Sequence, residues 1–155
     1  MTYNNEYPQG VWCFDKENEN MAVKVVNNTK TIKIPVTTEI LEEIKKQIEA
    51  EKLFIAFCQL NNEDENIIGY LDLMLNDYIN FLTPENKNIL INKMKEIELS
   101  SRLDNQNISH LHNLETNLKE NDIEAFYDNL DDFHTYNIPL FENALSNNEI
   151  QGRSH

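Results

Sequence analysis

The segment ETNLKENDIEAFYDNLDDFHTY, residues 115–136, decides how the rest of the chain is read. Asn121, with Glu124 three residues on, is the pattern of a helix start, in which the Asn side chain takes an orphan amide and the Glu reaches back. Asp122 adds negative charge near the positive helix end. Ile123, Phe126, Tyr127, Leu130 and Phe133 then recur at helical spacing and predict one apolar stripe that must be buried. At about 100° per residue, Glu124, Asp128, Asp131 and Asp132 share another face with no Lys or Arg between them. Like charges so spaced repel, at a cost of about a few tenths of a kcal/mol per pair unless a cation comes to them. Such a stripe is either the solvated face of an acidic protein or a docking surface for a basic partner.

Outward from this helix, Asn137 and Pro139 close it, and Leu140, Phe141, Ala144 and Leu145 predict a short last helix. On its N-terminal side Ser109 is a cap for a helix with Leu111, Leu114 and Leu118 inside, joined on through Lys119–Asn121. Further upstream, Thr83-Pro84-Glu85 combines a cap, a proline suited to the first turn and an acid at the positive end. The helix it opens carries Leu90, Met94 and Ile97, extends toward Ser101, and is broken by Asp104–Asn107. Asp64 opens a helix that is apolar over most of its circumference from Ile67 to Leu82, which makes it central. Gly69 within it reads as a point of close packing. Thr37 and Thr38 cap a helix whose buried face is Ile40, Leu41, Ile44 and Ile48. Leu53–Leu60 fits a strand or a helix. With no Gly or Pro before it, the chain is expected to continue helical to Asn61-Asn62.

The first part of the chain has a different period. Val11–Phe14 is a strand, and Met21–Val25 and Ile32–Ile34 alternate about the turn residues Asn27-Asn28-Thr29, which predicts a hairpin. Its apolar face is expected to cover the helices, with Lys24, Lys30 and Lys33 on the other side and Pro35 at a strand end or edge. Met1–Gly10 has no periodicity and is expected to be loose unless Tyr3 and Tyr7 dock. The resulting class is α+β, predominantly α: a short N-terminal antiparallel β-hairpin or meander packed on a bundle of about five to six helices. Residues 1–151 are expected to form a single domain, β-rich over 10–36 and helical over 37–146. Gly152–His155 matches the start of a vector-encoded histidine tag.

Acids outnumber bases 27 to 13, for a formal charge of −14, so nucleic acid and anionic membrane are excluded as partners on electrostatic grounds and a basic protein fits. The excess is uneven. Met21–Val36 holds three lysines and no acid, whereas Leu103–Ile150 holds ten acids and Lys119 as its one Lys or Arg. No apolar run is long enough to span a membrane and no secretory signal opens the chain, so a cytoplasmic protein is expected.

Chemistry is sparse. Cys13 and Cys58 lie in apolar contexts without a C-x-x-C and are expected to be reduced core residues. His112 with Glu115, and Asp131 with His134, have a three-residue spacing that a metal could use, but the spacing is common, and neither a metal nor a cofactor is assigned. Three glycines in the chain form no phosphate loop, and no nucleophile motif occurs, so the chain is read as a binding protein and not an enzyme.

In character it resembles the small acidic inhibitors that accompany contact-dependent or colicin-type toxins, without sharing a motif with them. The resemblance implies an immunity or antitoxin protein that neutralises a basic partner, such as a bacterial nuclease toxin. Glu124, Asp128, Asp131 and Asp132 would supply charge contacts, with Tyr127 and Tyr136 as aromatic anchors at the rim. Two other readings compete. One is a nucleic-acid mimic that inhibits a DNA-binding defence protein, which needs Asp64, Asp72 and Asp77 aligned with the later stripe. The other is a structural or adaptor domain whose Leu71–Leu82 helix pairs with another subunit.

Overall fold

Alternation and turn chemistry at the N-terminus produce strands β1 (Trp12–Phe14), β2 (Met21–Asn27) and β3 (Lys30–Pro35), an antiparallel sheet in the order β1-β2-β3. The hairpin turn is closed by Asn27, whose Oδ1 accepts the Thr29 amide at 2.8 Å. The computed structural model describes residues 7–153, with side-chain surroundings to Asn147. Expectations for Met1–Glu6, Tyr3 among them, and for Ser154–His155 lie outside the described residues.

Pairing of Trp12 with Lys24, Lys24 with Ile32 and Ala22 with Ile34 places these residues on one face. That face, through Ala22, Ile34 and Trp12, packs on Ile40 and Ile44. Lys24 therefore lies on the helix side, its ammonium 5.7 Å from the Trp12 ring centroid, contrary to the expectation that all three lysines face away. Val23 and Val25 are buried on the opposite face. Both sides of β2 are apolar, so alternation alone does not say which one meets the helices. Lys33, on the Val23 side, pairs with buried Asp15 at 2.6 Å, and this pairing holds the Asp15 carboxyl below its usual range.

Six helices follow. In α1 (Thr38–Cys58), Thr37 Oγ1 accepts the Ile40 amide, and the helix runs unbroken through the ambiguous apolar stretch. Its burial changes side along its length. Ile40 and Ile44 lie under the sheet, whereas Ala50, Leu53, Phe54 and Phe57 face the helical core, about 110° around the axis. Ile48, expected inside, falls outside both faces and is exposed.

Every residue of α2 (Ile67–Leu73) is buried. The central helix does not continue regularly to Leu82 but widens to a π turn at Met74–Tyr78 and tightens to a 3₁₀ turn at Ile79–Phe81. The Asn76 side-chain amide donates to the Asp72 carbonyl at 3.0 Å, the acceptor that an α-helix reserves for the Asn76 backbone. Leu71, Met74, Leu75 and Leu82 are enclosed within the chain, which removes this helix as a free subunit-pairing face.

Pro84 opens α3 (Pro84–Glu98) behind the Thr83 cap. Helix α4 (Asn105–Glu120) begins five residues earlier than a Ser109 cap would start it, because Asp104 caps it by accepting the Asn107 amide at 2.8 Å. What reads as a polar break is therefore a cap and a first turn. The start of α5 (Ile123–Tyr136) is also corrected. Asn121 is left-handed, at φ 57°, and closes α4, while Asp122 caps α5 by accepting the Ala125 amide at 3.2 Å. After Asn137 alone the chain enters α6 (Ile138–Arg153), longer than the short helix expected. Buried Asn137 and Asn107 exchange two amide hydrogen bonds, at 2.8 and 3.1 Å, and so tie the start of α4 to the α5–α6 corner.

Candidate functional site

Helix α5 buries Phe126, Leu130 and Phe133 against the core and turns its other side outward. Glu124, Asp128, Asp131 and Asp132 are all exposed, on an arc about 100° wide. Among the described residues none of the four makes an ion pair or a side-chain hydrogen bond. Glu124 sits in the first turn, where the helix dipole favours it, whereas Asp131 and Asp132 lie beyond that turn and gain nothing from it. Local helix physics does not explain the placement of these last two acids.

The arc is flanked by two tyrosines, each about 40° beyond its edge. Tyr127 was expected on the buried stripe as well as at the rim, yet it is 42% exposed, and its hydroxyl accepts from Asn80 Nδ2 at 3.0 Å. Tyr136 is 41% exposed and donates to Asp104 Oδ2 at 2.8 Å. Both rings are thus held by hydrogen bonds to other elements. Ile123, also expected inside, is 51% exposed because the core-facing side of α5 is narrower than the apolar spacing suggests. These six polar and aromatic residues share one continuous exposed side of α5. Asn80, which fixes Tyr127, carried no sequence signal.

The carboxylate–histidine pairs separate. Asp131 points outward, whereas His134 turns in and places Nδ1 3.0 and 3.1 Å from the carboxylate oxygens of fully buried Asp72. Asn76 also donates to that carboxylate. Burial pushes Asp72 up to about 6, against the opposing pull of His134 and Asn76. An acid inside an otherwise apolar helix was the available signal, and its partner sits 62 residues away. The buried position also removes Asp72 from any extended carboxylate face, so the alignment needed for a nucleic-acid mimic is not met.

His112 is exposed and stands 3.7 Å from Glu98, while Glu115 is buried. Burial and the neighbouring Glu98 carboxyl push Glu115 up to about 8. Among the described residues no group of three His, Cys, Asp or Glu is placed to hold a metal ion. Both cysteines are free. Cys13 is partly buried, but Cys58 is exposed, since it falls on the outer side of the last turn of α1.

The chain matches no protein-family model, no curated protein and no solved structure. No helix of the described residues is long and apolar enough to cross a membrane.

Proposed function

We propose that this chain is an inhibitor of the immunity or antitoxin type, which binds a basic protein through the outer face of α5, with a bacterial nuclease toxin as the first candidate. A nuclease must attract phosphates, so its active region is basic, and a row of fixed carboxylates competes for it and speeds encounter. The observation that supports this reading is the arc of four exposed, unpaired carboxylates between two anchored tyrosines. Like-charge repulsion disfavours the arrangement in the free protein, and a cationic partner relieves it.

The test begins with capture of partners from the source lysate at low and high salt, followed by nuclease assay of any stoichiometric basic protein retained. Changing Glu124, Asp128, Asp131 and Asp132 together to Ala should leave the fold intact. It should raise stability by at most about 1 kcal/mol through relief of repulsion. Partner association should slow, with most of its salt dependence lost. Unaltered affinity and unaltered salt dependence would remove α5 from the interface.

A further inference from the structure

Beside the carboxylate arc lies a groove of about 240 Å³ whose apolar lining includes Ile79, Ile91, Leu118 and Phe126, with Ile123 and Tyr127 of α5 at its side. Phe126, Ile79 and Ile91 are buried, whereas Ile123 and Tyr127 remain half open to solvent. Ile123 and Tyr127 are one turn apart, so they form an exposed apolar pair directly alongside Glu124. Lys87 also lines the groove. It makes no ion pair among the described residues, and burial draws its ammonium below the usual lysine range.

We infer that this groove receives one large apolar side chain from a basic protein segment whose cationic residues lie along α5. The inference rests on the inhibitor reading and extends it, because it names what the partner must carry besides charge. Charge complementarity selects the occupant: Glu124 and Asp128 adjoin the groove residues Ile123 and Tyr127 along α5, so an acidic apolar segment is disfavoured and a basic one is steered in. Lys87, which also lines the groove, can donate from its ammonium to a backbone carbonyl of the bound segment. The Asn80 bond to Tyr127 fixes the lip in advance, which lowers the ordering cost of binding. Charged contacts around an apolar anchor divide the work, the charges setting the rate of encounter and the anchor the lifetime of the complex.

Two blocked peptides test this: tetralysine, and tetralysine extended by a tryptophan. Each would be titrated into the full chain by calorimetry and by amide chemical shifts. Tryptophan should tighten binding about tenfold, as expected for burial of an aromatic ring in a groove only partly closed. Its added shifts should fall on Ile123, Tyr127 and Lys87. Ile123→Ser, at a half-open position, should abolish the tryptophan gain and leave plain tetralysine unaffected. If both peptides bind equally, or the gain survives Ile123→Ser, the groove is not the anchor site, although the acidic face stands. If neither binds, both readings fall. A concentration-dependent mass that Ile123→Ser abolishes would assign the groove to a second copy of the chain and overturn the proposal.

Discussion

His134 and Asp72 show how one residue's role depends on what the fold brings to it. From sequence, His134 belongs to the apolar side of α5 near its C-terminal end, where a carbonyl or the dipole would suffice for it. In the structure it partners a carboxylate buried near the C-terminal end of α2. Removal of His134 leaves the buried Asp72 carboxylate short of a hydrogen-bond partner, so His134→Ala should cost about 2 kcal/mol at neutral pH. The value lies toward the low side for buried pairs because the imidazole keeps some contact with solvent. The loss should shrink as pH falls through about 6, where Asp72 takes up a proton and becomes neutral. Urea unfolding of the variant and parent across that range measures this, and a pH-independent difference would mean that packing against Phe141 dominates.

At the scale of elements, Gly69 is a point where two helices meet closely. A Cβ built there would stand 2.1 Å from the Leu140 carbonyl oxygen and 3.0 Å from Ala144 Cβ, so α2 and α6 can cross only over a bare glycine. Gly69→Ala should therefore destabilise by about 2–3 kcal/mol despite the better helix propensity of alanine, visible as a lowered unfolding midpoint. A neutral result would mean that α6 shifts freely away. Close packing at this glycine was legible in the sequence, and so were the Thr83-Pro84 start and the continuation of α1 through Leu53–Leu60. Boundaries around Asp104 and Asn121 were not. Asp, Asn and Ser can each break, cap or close a helix, and the role is set by backbone conformation and by which amide lies in reach. The acidic arc was legible because helical period alone fixes it. The outward turn of Ile123 was not, and that of Tyr127 was only one of two readings, since periodicity identifies an apolar side without giving the width of the surface that will cover it.

Across the whole molecule, the acidic excess coexists with carboxyls that resist ionising. Glu115 is held between α4 and α3, beside Glu98, in surroundings that favour its protonated form. A carboxyl whose folded pKa is raised contributes stability that is fully present below its ordinary pKa near 4.5 and is lost as pH rises through about 8. Unfolding midpoints should accordingly fall from about pH 5 to about pH 9. Glu115→Gln, which keeps the shape and stays neutral, should flatten that decline and leave the variant the more stable protein at the alkaline end. An unchanged slope would show that Glu115 is ionised in the folded state.

Helix α1 carries one further consequence. Its two buried faces serve different cores, the sheet beneath Ile40 and Ile44 and the bundle around Ala50 to Phe57. The five residues between Ile44 and Ala50 therefore act as a phase setting. Adding or removing one of them rotates one face by about 100° relative to the other, so one core can be satisfied only by emptying the other. The length of that spacer is fixed more strictly than its composition, and the two halves of the protein are kept in register by a count of residues and not by any single contact.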